Sequence, residues 1–509
     1  MAGLLLAACD VPAEEPTDAG STMGGDAAVL DGAPTQRPDA GNSHGSDAGP
    51  QGSRDAGLPA PDAAVGPDAA VPVQPCTGTA ADFDTVFARF SQELSEQSIP
   101  GGAIAVVCND VIHARAAGVL RRGQAASVDV HSRFQIASTT KMLTAMVAMT
   151  LVEDGTLNLG SPVRTYVPQV NDQAPFTRPF TVEELLSHRA GYPLELGVGW
   201  SNTLEAFFTG PAANIPLWTP PGAVWAYSND GFALAGLVLQ RAAGTPYRTL
   251  VTSRIFAPLG LLDSTMDETV LQGAPNVAVG HTAGGATMGP MDNYTHQEVY
   301  GPMGGAWMSV EDLAKVARSM VSGGQGVMDA ASVVEMSRSR GRTFGHGMDY
   351  ALGLFVDERG NQPYWSHGGG VAGYTTDLTM LPQSRFAVVT LINTDEGYIA
   401  DAPYLAINAF TSYGFDGPGD TPRAADLPLY VGTYRQAGDG GNIVVTQSGS
   451  TLNFRFPGNN QLRTATAVGR DLFRVFHHEA GYEIDVAFWP GQGTASPYVT
   501  SRAFVGVRN

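Results

Sequence analysis

Lysine is nearly absent from this chain. Of 509 residues only Lys141 and Lys315 are lysines, and the other basic side chains are arginines. Positive charge is scarce overall, with 29 Lys and Arg against 49 Asp and Glu and a formal net charge of -20. A surface that neutralises phosphate backbones is basic, so the balance argues against nucleic acid as a partner. Long apolar runs are missing too: nothing approaches the roughly 18–20 consecutive apolar residues of a membrane-crossing helix. Cysteine is limited to Cys9, Cys76 and Cys108. No His/Cys cluster has metal-ligand spacing, since His477 and His478 are adjacent and on a strand would point to opposite faces. Neither a metal nor an organic cofactor is expected.

The cysteines that are present have distinct readings. Cys9 closes the run Leu4-Leu5-Leu6-Ala7-Ala8-Cys9. An apolar run ending on small residues and Cys is the end of a lipoprotein-type export signal. Residues 1–9 are therefore expected to be a signal remnant, with Cys9 lipidated and an exported protein held to a membrane, in the periplasm or at the cell surface. The cationic start and longer apolar run of a complete signal are missing, which points to a truncated or misplaced start. With Cys9 lipidated, Cys76 and Cys108 remain as a pair. An oxidising compartment favours a disulfide between them; two free buried thiols are the alternative.

Residues 10–75 are rich in Asp, Ala, Gly, Pro and Ser and lack aromatics. Such a segment buries too little surface to offset its ordering entropy, so a disordered tether is expected. The first domain spans 76–415. Residues 81–97 read as an amphipathic helix with Phe83, Val86, Phe87 and Phe90 on one face. Residues 103–107 and 111–116 read as strands about an Asn109-Asp110 turn. Residues 135–154 contain a buried helix, and 386–392 a core strand. After Gly414 the Gly-Pro-Gly-Asp-Thr-Pro segment reads as a linker. From there to the end, 425–509, the pattern has strand period: Leu452, Phe454 and Phe456 alternate, as do Tyr482, Ile484, Val486 and Phe488. Five or six such runs suggest a small antiparallel barrel or half-barrel.

Three constellations carry chemistry. In Ser138-Thr139-Thr140-Lys141, a helix beginning near Ser138 places positions i and i+3 on one face, with the amine beside the hydroxyl. A serine hydroxyl is a poor nucleophile until an adjacent base takes its proton. The residues after Lys141 are almost wholly apolar, and a lone lysine in a buried helix is costly unless it has a task. The bland alternative is a helix N-cap followed by a surface lysine. Tyr227-Ser228-Asn229 is the second: a phenol near a cation can shuttle protons, and an amide can hold a substrate carbonyl and the lysine. Its alternative is a core tyrosine and a capping asparagine. Trp365-Ser366-His367-Gly368-Gly369-Gly370 is the third, where glycines let backbone N–H groups approach a ligand closely. Its alternative is a Gly-rich turn with a solvated histidine.

Taken in order, Ser-x-x-Lys, Tyr-x-Asn and His-x-Gly resemble the β-lactamase-related serine hydrolases. That superfamily includes class C β-lactamases, D-alanyl-D-alanine carboxypeptidases, D-aminopeptidases and family VIII esterases. Leu185–Gly191, Phe256–Leu261 and Gly304–Ser309 followed by Asp312-Leu313 resemble it as well, so the likeness runs from about Asp82 to Ile407. It implies an α/β (α+β) transpeptidase-like domain: an antiparallel sheet flanked by helices plus an all-helical part. The 425–509 tail resembles the lipocalin-like or β-barrel modules attached to some of these enzymes.

Carried over, the resemblance implies Ser138 as acylated nucleophile, Lys141 as its proton acceptor and Tyr227 as general base and acid. Asn229, His367, Gly369 and Gly370 would contact substrate, with the N–H groups of Ser138 and Gly370 facing the oxyanion. His188, Arg189 and Asp312 are read as structural. His367 stands where many class C enzymes have lysine, which favours small esters or D-amino-acid peptides and amides over β-lactams. D-alanyl-D-alanine carboxypeptidase or β-lactamase activity is the nearer alternative. A catalytically silent surface-binding or sensor lipoprotein is the more distant one.

Overall fold

The computed structural model describes residues 75–509 apart from 193–201, 283, 293–296, 342, 344–347, 360–361, 396, 413–425, 437–440, 470, 479–481, 492–493, 502–504 and 509. Cys9, nearly all of the expected tether and the expected linker lie outside the described residues. No helix among the described residues is long and apolar enough to cross a membrane.

Helix α1, Ala80–Glu96, opens with a capping box between Thr79 and Asp82 and buries Phe83, Val86, Phe90 and Leu94. Strands β1, Gly101–Cys108, and β2, Val111–Gly118, follow. Their connection has φ of 46° at Asn109 and 73° at Asp110, the left-handed pair that a two-residue hairpin turn requires. The buried helix α2, Thr140–Glu153, comes next, then α3, Asn229–Ala243, the short α4, Gly301–Gly304, and α5, Val310–Val321. The sheet is completed by β3, Asp349–Tyr350, β4, Phe355–Arg359, β5, Gln362–Val371, β6, Tyr374–Leu381, and β7, Phe386–Ile392; α6, Asp401–Phe410, closes the domain.

The seven strands run in the order β2-β1-β7-β6-β5-β4-β3, each neighbouring pair antiparallel. Because the chain returns from β7 to pair with β1 (Gly102 opposite Ile392), both central strands are covered on both faces. Ala103, Ala105, Val107, Ala387, Val389 and Leu391 face the large core that contains α2, α3 and α5. Ile104, Val106, Phe386, Val388 and Ile392 face α1 and α6. This double burial explains why β7 reads as an unbroken apolar run. On the outer layer the buried Glu93 of α1 accepts the N–H groups of Ala400, Asp401 and Ala402, satisfying the first turn of α6. Cys76 and Cys108 are joined in a disulfide that ties the start of the domain to the end of β1.

The C-terminal strands, from Gly432 to Arg508, form a closed barrel of eight strands, sealed where Gly432–Gln436 pairs with Val505–Arg508. Its interior is filled: the rings of Tyr430, Tyr434, Phe454 and Phe473 each lie 4.7–5.9 Å from Phe488. Arg508 ties the seam, donating to the carbonyls of Leu429 and Val431 and to the Tyr434 hydroxyl. The barrel's Tyr498 packs against Val224 and Ala226, just ahead of Tyr227.

Two local readings are corrected. For the segment containing His367 and its glycines it is the alternative, a Gly-rich turn with a solvated histidine, that fails: the segment lies inside β5, paired residue for residue with β6, and His367 is buried. His477 and His478 do not point to opposite faces: the strand ends at His477, strand alternation lapses, and the two rings lie 5.4 Å apart, stacked. Among the described residues no group of three or more His, Cys, Asp or Glu could hold a metal ion.

Candidate active site

Ser138 sits in a tight 3-10 turn, Ala137–Thr139, that feeds directly into α2. It is the only residue between 134 and 151 that is not buried. Ala137 ahead of it has φ of 46°, a left-handed conformation that a non-glycine residue adopts only when its surroundings impose it. The surroundings are a short pairing of Phe134 and Gln135 with Met308 and Trp307, and the Ile136 N–H donating to the Ala306 carbonyl.

Lys141 is wholly buried, one turn below Ser138. Its Nζ lies 2.9 Å from Asn229 Oδ1, 2.8 Å from the Met303 carbonyl oxygen and 3.2 Å from Ser138 Oγ. The first two partners can only accept, so each takes one N–H. A neutral amine also carries a lone pair, and Nζ stands within hydrogen-bond distance of the serine hydroxyl. The arrangement can therefore receive the Ser138 proton. The ring of Tyr227 lies 4.8 Å from Nζ and that of Phe232 5.5 Å. The other lysine differs in kind: Lys315 is half-buried and pairs with Asp312 and Glu311.

Tyr227 and Asn229 arrive together because α3 begins between them. Ser228 is the N-cap, its hydroxyl accepting from the Gly231 N–H, so Asn229 is the first helical residue and Tyr227 the last extended one. Tyr227 is buried, with Trp225, Tyr350 and Phe355 in the same aromatic cluster. Asn229 Oδ1 faces Lys141, which leaves its NH₂ to donate elsewhere.

On the opposite wall, β5 crosses the turn that bears Ser138. A Cβ on Gly369 would lie 2.1 Å from the Ile136 carbonyl oxygen and 3.1 Å from Thr139 Oγ1, so only glycine fits there. Thr139 Oγ1 donates to the His367 carbonyl at 3.4 Å. Gly370 is paired with Thr375, next to the short turn that joins β5 to β6. The His367 side chain does not project freely toward a ligand, as a substrate contact would. It is 2% exposed, with Nδ1 2.7 Å from the Gly368 carbonyl and Nε2 3.1 Å from the Tyr350 hydroxyl. Burial holds the Tyr350 phenol well above its ordinary pKa, so it stays O–H.

The residues read as structural occupy structural places. Asp312 accepts from the Asp263 N–H and the Ser264 hydroxyl. Arg189 donates to the carbonyls of Arg340 and Gly222, holding the turn before Tyr227. Met303 and Tyr350 were missed. Met303 acts through a carbonyl, which carries no side-chain signature; the adjoining segment from Gly304 was the only pointer. Tyr350 precedes His367 by 17 residues, and no motif spacing links the two.

A family model described as Beta-lactamase matches residues 83–409, more than half of the chain. This chain belongs to the beta-lactamase family. Among its relatives, Penicillin-binding protein 4 of Amycolatopsis lactamdurans is 28% identical over 378 residues, covering 69% of this chain and 97% of that protein. Unguisins hydrolase ungD of Aspergillus violaceofuscus is 25% identical, covering 62% of this chain and 63% of that protein. Among solved structures, SurE with D-Leu superposes with a TM-score of 0.66 at 23% identity, over 85% of this chain and all of that one. EstCE1, a hydrolase with promiscuous acyltransferase activity, gives a TM-score of 0.56 at 21% identity, over 65% of this chain and 99% of that one. Like the members of the family named as hydrolases, this protein is a serine hydrolase.

Proposed function

We propose that this hydrolase cleaves small esters, or the peptide and amide bonds of D-amino acids, through an acyl-enzyme on Ser138. The observation that carries the reading is the buried Lys141 amine, 3.2 Å from Ser138 Oγ and held by Asn229 Oδ1 and the Met303 carbonyl. In the first step the Ser138 proton passes to Lys141 while Oγ bonds to the substrate carbonyl carbon. The resulting oxyanion is met by the N–H groups of Ser138 and Gly370, each donor being worth about 3–4 kcal/mol in such sites. Tyr227 passes a proton to the departing alcohol or amine, and the carbon–leaving-group bond breaks. Water then attacks the ester on Ser138, Tyr227 takes the water's proton, and Oγ regains one. The amide of Asn229 holds the substrate carbonyl side.

The substrate preference follows from His367. A lysine there would meet a β-lactam's carboxylate with a fixed charge; a buried imidazole committed to Tyr350 and Gly368 does not. Losing a charge-assisted contact costs on the order of 1.5–3 kcal/mol, roughly ten- to a hundred-fold in affinity. A neutral ester loses nothing. The names of the relatives, a penicillin-binding protein and a hydrolase of unguisins, support the D-peptide and amide arm.

Two experiments test this. A fluorophosphonate should label the protein, and Ser138→Ala should abolish labelling and turnover with the fold intact; labelling at another serine in the variant defeats the assignment. A panel of p-nitrophenyl acetate and butyrate, D-amino-acid amides, D-Ala-D-Ala peptides and a chromogenic cephalosporin should rank the cephalosporin last in kcat/KM. A cephalosporin rate equal to that of the ester overturns the preference.

We further propose that the enzyme is exported and membrane-anchored through a lipid on Cys9. The run ending at Cys9 supports this, as does the Cys76–Cys108 disulfide, which suits an oxidising compartment. Cys9→Ser should move the protein from the membrane fraction to the soluble exported fraction; unchanged membrane association removes the anchor from this residue.

A further inference from the structure

His188 lies at the end of a short turn after the helix Val182–Leu186, with φ of 58° and 2% exposure. It makes two hydrogen bonds that share one target. Its carbonyl accepts the N–H of Ala226 at 2.8 Å, and its Nδ1 accepts the N–H of Ser228 at 3.0 Å. These are the residues immediately before and after Tyr227. Between the two bonds the imidazole ring lies 4.4 Å from the Tyr227 ring. Trp225, Phe232 and Tyr350 surround it at ring distances of 4.8–5.8 Å.

We infer that His188 is a positioning residue for Tyr227: it clamps the backbone on both sides of the tyrosine and backs its ring, fixing the phenol relative to Lys141 and Ser138. The inference rests on the reading of Tyr227 as the proton-transfer group. An imidazole whose Nδ1 accepts a backbone N–H has no proton on that nitrogen. Burial, with Lys141 and His367 nearby, holds the His188 pKa well below its ordinary value, so the ring stays neutral and the acceptor is permanent. The left-handed backbone fits the same task. It turns the carbonyl and the side chain of one residue toward one segment, 226–228, and histidine and asparagine are among the residues that tolerate it.

A shift of about 1 Å in a catalytic group costs on the order of a hundred-fold in rate. His188→Ala removes the Nδ1 acceptor and the ring support. It is expected to lower kcat by roughly a hundred-fold with KM changed by less than about threefold. In His188→Asn the side-chain Oδ1 sits where Nδ1 was and accepts the Ser228 N–H, and asparagine suits the backbone; most of the lost kcat should return. In a Tyr227→Phe background His188→Ala should add less than about threefold to the loss in turnover and in fluorophosphonate labelling rate, because its effect passes through the phenol.

Additive losses in the double variant, or an alanine variant with near-normal kcat while Tyr227→Phe is impaired, overturn the clamp. Near-normal rates in Tyr227→Phe itself overturn the underlying reading instead. Should the alanine variant fail to fold, ¹⁵N NMR of histidine-labelled wild-type protein decides. A neutral His188 protonated on Nε2, with Nδ1 as acceptor, is required; a proton on Nδ1 refutes the bond to Ser228.

Discussion

Replacing Gly369 by alanine should damage catalysis far more than stability. The new Cβ would stand 2.1 Å from the carbonyl oxygen of Ile136, where ordinary contact begins near 3.4 Å. Relief needs about 1.3 Å of movement between β5 and the turn that holds Ser138. Neither partner is a flexible side-chain tip. The strand is locked into the sheet through β6, and the turn is held by the Ile136 bond to Ala306 and the helix behind it. Overpacking of this kind costs about 1–3 kcal/mol, which lowers Tm by a few degrees in a domain this large. The same displacement opens the seam between the nucleophile and the strand that carries Gly370, and a misplacement of about 1 Å costs on the order of a hundred-fold. The assay is kcat on p-nitrophenyl acetate and the rate of fluorophosphonate labelling, with a thermal melt alongside. A Gly369→Ala protein with kcat within threefold of wild type would falsify the close approach as the device that sets the site.

Three further outcomes are expected. Lys141→Ala and Tyr227→Phe should each lose most turnover, and the double variant little more than either, because they act as one proton-transfer unit; stopped-flow acylation rates decide, and near-normal rates in either would place the base elsewhere. The Cys76–Cys108 bridge closes a loop of 32 residues, and its removal as Cys76→Ser with Cys108→Ser should cost about 3–4 kcal/mol in the chain-entropy model, read by denaturant unfolding. Stability should also fall as pH rises from about 5 to 8 through Glu268, whose carboxyl burial lifts to about 7 despite Arg248 at 3.3 Å. The folded state keeps a proton that the unfolded chain releases near pH 4.5, so this contribution is complete below that pH and lost above about 7, worth on the order of 3 kcal/mol. Glu268→Gln should flatten that part of the profile; an identical slope in the variant removes the residue from it.

What the sequence disclosed and what it withheld divide along a physical line. Phe83, Val86 and Phe90 announce α1 because one face of a surface helix repeats with helical period. The 386–392 run announces β7 because both its faces are covered. Ser138 and Lys141 were legible because a buried lysine in an apolar helix, in a chain with two lysines, has few bland explanations. The eight-stranded barrel was seen as five or six runs, since short strands such as Gly432–Gln436 and Val505–Arg508 show little alternation by themselves. His367 was read as reaching the ligand because chain order gives no hint that Tyr350, on a neighbouring part of the sheet, would engage its ring. Met303 and the clamp by His188 were hidden for a related reason: both act through backbone groups, and any residue type presents those.

The two walls of the site carry separable tasks. Ser138, Lys141, Tyr227 and Asn229 all come from the helical side, where the lysine's bonds to Asn229 and Met303 fix the proton path. His367, Gly369 and Gly370 all come from β5, whose contact with the nucleophile's turn passes through the Gly369 backbone and the Thr139 bond to the His367 carbonyl. The His367 ring is engaged by Tyr350 and the Gly368 carbonyl, so a change at position 367 acts through the strand's position and through the charge it presents. His367→Lys is therefore expected to raise kcat/KM for a carboxylate-bearing cephalosporin relative to p-nitrophenyl acetate, by up to the roughly ten- to hundred-fold of one charge-assisted contact. The substitution also removes the partner of the buried Tyr350 hydroxyl, so activity on the neutral ester should fall modestly. The ratio of the two substrates, rather than either rate, isolates the charge. An unchanged ratio would mean that selectivity is set on the helical wall, and that the division of labour between the walls is wrong.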